Sequence, residues 1–544
     1  MTRKPMLAIL WAGYAMVVLA LVVASRTASA QNGNSGTGNQ HSCTYFPYPS
    51  GVIPPDLNDE TNRVNGEIDL IEAEALAEWQ ALPINSGTAM RQVQLLGKIE
   101  LYDKNLSVNR NQACTFCHMP YTSFTGPISS VNAMPVAYPG SVHYRFGKRK
   151  PNAYAYSPLF PVLRYNQTQA NFYGGNFWDG RATGYKLQNP DAEQAQDPVR
   201  DTQEMGMPDS ACIVYRLSQG KYRSVFETVW GKQAFAINWP SEVKKICNTP
   251  AGAAVFAGNP EPVNLTKVNR GRSNATFDQY ALSITAFEGS PDVSAFSSKF
   301  DAYLAGKTTL TPDEQAGYDL FRGKGNCNSC HLDGRGSALM AGETDNSNAA
   351  SVAPVFTDFT SSNLGLPKNP ADPFYYQTVP DCFKFTPNPV GFGFTDLGMG
   401  LFLRSNSGTN PNSDWTELAP RFDGFMQVAT ARNVDMRPCP TFVKAYMHNG
   451  YLKSLKEVVH FYNTRDVYAY PVTSGHCPAA TIEKVNCWPQ PEVPLTKDMT
   501  VGNLGLTDQE EDQIVAFLET LTDGFTTPYP DFTVFAGKCA GKCG

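Results

Sequence analysis

The sequence predicts a mainly α-helical, loop-rich protein in two successive units with little sheet. Three observations carry this. Helix signals are strong but widely spaced. Forty prolines and 44 glycines break the chain between them. One short cysteine–histidine motif occurs once in each half.

The elements follow in order. Arg3 and Lys4 precede an apolar run from Met6 to Ala24, and Ala28-Ser29-Ala30 has the small residues of a cleavage site. Residues 1–30 therefore read as a secretory signal peptide cut after Ala30, which puts the mature protein in the periplasm. Uncleaved, the same run is long enough to anchor the chain in a bilayer. Residues 31–87 form an N-terminal extension that begins Gly/Asn/Ser-rich and flexible, from Gln31 to Ser50. MRQVQLLGKIELYDKNLS is the helix signal that opens a first unit over 88–300. TPDEQAGYDLFRGKGN opens a second over 301–530, where Thr311, Pro312 at N1 and Glu314 form a capping box. The aromatic, Pro- and Asn-rich stretch from Asn346 to Pro420 reads as ordered insertions or lids. In SLKEVVHFYN, Ser454 and Glu457 make another capping box. Leu455, Val458, Val459 and Tyr462 there share one helical face. Leu506 to Leu521 is a further amphipathic helix, and 531–544, with CAGKCG, is a tail.

Composition bounds the partners. The chain is 42% hydrophobic and 17% charged, a globular balance, and its net charge of −6 leaves no basic footprint for nucleic acid. A mildly acidic surface suits a basic protein partner.

The repeated motif is CTFCH, Cys114 to His118, and CNSCH, Cys327 to His331. Two cysteines three apart form thioethers to the vinyl groups of one haem, and the adjacent histidine becomes the iron ligand. A zinc site would need a second nearby pair of ligands, which neither copy has. Two covalently bound haem c groups follow, and the fold class sharpens to two cytochrome c-like haem domains. Nine other cysteines remain, an odd number. In an exported chain they favour disulfides, with Cys212–Cys247 and Cys477–Cys487 as plausible neighbours.

An ordered series of segments then goes beyond haem attachment: LGKIELYDKNLS, CTFCH, NFWDGRA (176–182), EQAQDPV with QEMG (to Gly206), ARNV, and AYMHNG (to Gly450). This series resembles the bacterial di-haem cytochrome c peroxidase and MauG family over roughly residues 90–525. The resemblance implies a peroxidatic N-terminal haem and an electron-transfer C-terminal haem. It implies Glu204 as the distal acid–base carboxylate, Gln194 as its companion and Trp178 as the relay between haems. It also implies that Tyr462, fourteen residues after His448, is the sixth ligand of the second haem. Cytochrome c peroxidases have methionine there and MauG-like members tyrosine. An oxygen donor favours higher iron oxidation states, so the second haem would store an oxidising equivalent rather than deliver electrons easily.

Two further assignments come from the resemblance. His143 lies near the loop histidine that reversibly caps the peroxidatic iron in classical peroxidases; its bland alternative is a surface histidine. Asn152 matches the side-chain ligand of an interhaem calcium ion, with carbonyls from about Val443 and Ala445, where relatives usually have Thr and Pro. The segment DMRPCPTFVK between Asn433 and Ala445 is longer than in typical members.

The expected function is an exported peroxidase. It reduces hydrogen peroxide at the N-terminal haem with electrons passed through the second from a small c-type cytochrome or another redox protein. A MauG-like enzyme oxidising a partner protein or organic substrate is the alternative. From another class, the chain would be a non-catalytic di-haem electron carrier.

Overall fold

A computed structural model describes residues 46–334, 354–405, 414–468 and 477–528. The leader, Cys43 and the tail with Cys539 and Cys543 lie outside them. Among the described residues no helix is long and apolar enough to cross a membrane.

Of the helices among the described residues, seven matter most for the haem motifs: α1 (Leu57–Ala81), α2 (Ala89–Leu101), α3 (Pro190–Ala195), α4 (Lys267–Glu288), α5 (Pro312–Arg322), α6 (Leu455–Thr464) and α7 (Asp508–Glu519). Among the described residues sheet is confined to two short strand pairs. β1 (Arg164–Asn166) and β2 (Asn171–Tyr173) are antiparallel with Tyr165 opposite Phe172, and β3 (Ser361–Ser362) pairs with β4 (Met426–Gln427).

Among the described residues two large apolar cores form, with two smaller clusters beside them. The first gathers Leu95, Leu96, Ile99, Phe116, Phe277 and Ile284, among others; the second gathers Phe300, Tyr318, Phe356, Leu455, Ile514 and Phe517. Each is built on the same joint. The helix before the haem motif crosses a later helix at a glycine, α2 on α4 at Gly97 and α5 on α7 at Gly317. A Cβ on Gly97 would lie 1.9 Å from the Ser283 carbonyl oxygen, and one on Gly317 1.8 Å from that of Gln513. Only glycine lets the backbones approach this closely.

Helix α1 fills part of the extension that the sequence reading left without an element. Val64, Ile68, Ile71, Ala75 and Trp79 are buried on one face and pack into the first core. The capping boxes are formed at Thr311/Glu314 and also at Thr507/Glu510, which opens α7. The box expected at Ser454 is only half present. Ser454 Oγ accepts from the Glu457 N–H at 3.1 Å, but the Glu457 carboxylate accepts from the Lys453 N–H at 2.7 Å instead of closing back on Ser454. Disulfides join Cys212 to Cys247 and Cys477 to Cys487, and Cys382 is disulfide-bonded as well.

Candidate functional site

Each haem motif opens onto a cavity. The first, about 570 Å³, is lined by Cys114, Cys117 and His118, and also by Trp178, Gln194 and Glu204. That volume lies within the roughly 300–1,000 Å³ usual for small-molecule and cofactor sites. The second, about 240 Å³, is lined by Cys327, Cys330 and His331, with Tyr462 and His448 on its wall.

The proximal histidines are set up alike. His118 Nδ1 lies 2.7 Å from the Phe124 carbonyl oxygen and His331 Nδ1 2.9 Å from that of Phe356. A carbonyl can only accept, so Nδ1 carries the proton and Nε2 is left as the metal-binding nitrogen. Burial lowers both pKa values, that of His118 to about 4, so the neutral, ligating form is favoured. Two thiols, a neutral imidazole and an apolar wall fit a covalently attached haem at each motif.

The distal side of the first cavity comes from two local structures. Gln194 sits near the end of α3, which Pro190 opens at N1 and Asn189 caps by accepting the Asp191 and Ala192 N–H groups. Glu204 sits in a turn closed by the Gly206 N–H on the Asp201 carbonyl at 2.9 Å, with Gly206 at φ +71°. The Ser141 N–H donates to the Glu204 carbonyl at 2.7 Å and fixes that turn from outside. Burial, and then the nearby Asp201 and Asp197 carboxylates, push the Glu204 carboxyl up to about 8, against a smaller lowering effect of Arg181.

Trp178 lines both cavities. Its turn is held by the Asn176 N–H on the Ala182 carbonyl at 2.8 Å and by Gly180 at φ +71°. Asp179, next in sequence, pairs with Arg149 at 2.7 Å and Arg181 at 3.0 Å, and Arg149 also holds Asp396 at 2.7 Å. The indole Nε1 donates to the Lys150 carbonyl at 3.0 Å, and the ring stands 6.4 Å from that of His448, centroid to centroid.

Tyr462 reaches the second cavity from α6, the helix whose spacing placed it on the inward face. Burial raises its phenol pKa, so in the protein alone it keeps its proton. His460, two residues earlier, turns away: its Nδ1 lies 2.9 Å from Glu511 and its Nε2 2.9 Å from the Val485 carbonyl.

The structure therefore brings together Cys114, Cys117, His118, Trp178, Gln194 and Glu204 around one cavity. It brings Cys327, Cys330, His331 and Tyr462 together around the other. Asn152 lines both. His143 it does not bring in: the side chain is exposed, its ring lies 3.7 Å from that of Tyr144, and it lines neither cavity. Sequence reasoning missed the insertion's part in the first cavity, where Phe374, Phe394, Leu401 and Phe402 form wall. It also missed Lys150, which lines both cavities and had no motif to mark it.

Two haem-fitting cavities joined by one indole define a di-haem c-type oxidoreductase. Residues 91–309 match the family model of the di-haem cytochrome c peroxidases. Methylamine utilization protein MauG of Paracoccus denitrificans is 29% identical over 459 residues, 84% of this chain and 93% of that protein. Cytochrome-c peroxidase IdrP1 of Denitromonas iodatirespirans is 24% identical over 433 residues, 78% of this chain and 80% of that protein. The solved structure of the diheme peroxidase BthA from Burkholderia thailandensis shares the fold. Its TM-score is 0.56 at 23% identity, over 81% of this chain and 88% of that one. Residues 91–309 are thus a di-haem cytochrome c peroxidase domain, and the chain resembles MauG and the cytochrome c peroxidases over most of its length. It is accordingly an oxidoreductase that acts on peroxide.

Proposed function

We propose that peroxide is reduced at the N-terminal haem, attached at Cys114 and Cys117 and ligated by His118. The C-terminal haem, attached at Cys327 and Cys330, is ligated by His331 and Tyr462 and exchanges electrons with the first. One observation carries this reading: Glu204 and Gln194 line the first cavity, whereas a tyrosine on helix α6 lines the second.

When bound, haem iron supplies the electrons and the coordination site for breaking the peroxide O–O bond. The protein supplies the protons and the positions. Glu204, with its pKa near 8, accepts the proton from the near oxygen of peroxide and returns it to the far one, which leaves as water. Gln194 offers an amide donor and acceptor that orient the substrate beside that carboxylate. Trp178 occupies the shared wall and gives electrons a path between the cavities. Two electrons and two protons convert one peroxide into two waters, and the electrons come from a small c-type cytochrome or another redox protein.

The site of action is the periplasm. The leader supports this, and so do the disulfides Cys212–Cys247 and Cys477–Cys487, which persist in oxidising compartments.

Tyr462 also favours a second reading, in which a MauG-like enzyme uses the oxidising equivalents of peroxide on a bound protein or organic substrate. A phenolate ligand suits a haem that holds such an equivalent. Both readings need Tyr462 on the iron. EPR of the ferric holoprotein and its Tyr462→Phe variant tests this. One high-spin and one low-spin signal, with only the low-spin one altered by the substitution, is expected. Two low-spin signals indifferent to Tyr462 would remove both the open first site and the tyrosine ligand.

A further inference from the structure

The two cavities share four wall residues: Lys150, Asn152, Ala153 and Trp178. Lys150 alone among them has an ionisable side chain, and its bonds run to the surrounding frame. Its Nζ donates to Thr125 Oγ1 at 3.1 Å and to the Pro151 carbonyl at 2.9 Å. Its N–H donates to the His448 carbonyl at 2.8 Å, and its own carbonyl accepts from Trp178 Nε1 at 3.0 Å. One residue thus ties the segment after the first haem motif to the interhaem indole and to the wall of the second cavity.

A second buried lysine stands nearby. Lys444 lines the second cavity, and its Nζ donates to the Asn433 and Met436 carbonyls at 2.9 and 3.0 Å. It lies between Val443 and Ala445, whose carbonyls the family resemblance would give to calcium.

Calcium takes six to eight oxygens, usually with carboxylates among them. Here the Asn152 amide oxygen accepts from the Ala153 N–H at 3.0 Å, and the Val443 carbonyl accepts from Asn132 Nδ2 at 3.0 Å. The shared wall has no acidic side chain. Among the described residues no group of three or more His, Cys, Asp or Glu is gathered to hold a metal ion. What stands here instead are two lysine amines, Lys150 and Lys444. Charged, they would repel a divalent cation strongly, because little water screens charge there. Neutral, they offer nitrogen to an ion that takes oxygen. In either state the donor set does not fit calcium.

We propose that this protein holds no calcium between its haems and that the Lys150 amine, through its bonds to Thr125 Oγ1 and the Pro151 carbonyl, supplies the fixed hydrogen-bond donor there, acting as a positioning residue for both haems. The inference rests on the two-haem reading, and metal analysis separates the two. The holoprotein, dialysed into metal-free buffer, should contain two irons per chain and far less than one calcium. Excess EGTA or added calcium chloride should leave its EPR spectrum unchanged. Fewer than two irons would fail the two-haem reading; two irons with one calcium, whose removal by EGTA alters the spectrum, would overturn the proposal. Lys150→Met should shift the EPR signals of both haems, whereas Lys148→Met, on the first cavity alone, should alter only the first. Lys150→Arg, which keeps donors, should hold both near the parent. A Lys150→Met spectrum identical to the parent overturns the lysine's role. Should that variant fail to mature, the calcium count still decides the metal, and a Lys150→Arg spectrum altered at both haems overturns the donor role.

Discussion

Gly317 on α5 lies against Gln513 on α7 so closely that a Cβ on the glycine would stand 1.8 Å from the Gln513 carbonyl oxygen. Gly→Ala within a helix normally stabilises by up to about 1 kcal/mol. Here the helices must part, and overpacking of this kind costs about 1–3 kcal/mol. Gly317→Ala should therefore lower the Tm of the holoprotein. Gly271, on α4 with open space at its Cβ position, should not lose stability on the same change. Thermal denaturation of both variants checks the sign.

Glu204 should set the pH dependence of peroxide reduction. Its folded pKa is raised to about 8, so the carboxylate form needed to accept a proton grows as pH rises through that value. kcat/KM for peroxide should climb from about pH 6 toward a plateau above about 8. Glu204→Gln should lose the climb and about 100- to 10,000-fold in rate, with both haem absorption bands retained. A variant with parental rate and profile would take the proton transfer away from Glu204.

Trp178→Phe removes the N–H that the Lys150 carbonyl accepts, worth about 1 kcal/mol, and leaves a ring of similar bulk in the turn. Stability should change little. After mixing with peroxide, stopped-flow absorbance should show the second haem responding more slowly than in the parent while the first responds as before. Simultaneous response in both proteins would remove the indole from the path.

Ser454→Ala deletes the Oγ that caps α6, which should cost about 1 kcal/mol. Because Tyr462 is carried on that helix, the low-spin EPR signal should broaden while the other haem's stays sharp.

His143→Ala should leave the ferric EPR spectrum as it is, since the side chain is exposed and outside both cavity walls. Conversion of a low-spin signal to high-spin would show that its loop moves onto the first iron.

How legible the protein is depends on the range of the interactions. The Thr311 cap, the inward face of α6 and the disulfides Cys212–Cys247 and Cys477–Cys487 are local patterns, read within one turn or between near neighbours. Helix α1 is also written locally, in Val64, Ile68, Ile71, Ala75 and Trp79, but polar residues between them hide the stripe in a segment that reads as extension. The site is harder. CxxCH declares its chemistry in five residues, whereas Glu204 and Gln194 can be assigned only through family resemblance. Lys150 looks like one more basic residue in GKRKP. Its meaning comes from His448, far along the chain, and from the indole of Trp178, neither of which spacing brings near it. The Ser454 box fails for a small reason: the Lys453 N–H competes for the same carboxylate.

The repeated glycine joint also shows how the first haem site is divided along the sequence. A chain made from its N-terminus has α2 and α4 in hand by Glu288, before CNSCH has been synthesised. The first crossing at Gly97 therefore uses only residues from the first half. Yet Phe374, Phe394, Leu401 and Phe402, which wall the first cavity, belong to that later half. The first haem site is thus framed by residues before Glu288 and walled in part by residues after CNSCH, so neither stretch completes that site alone.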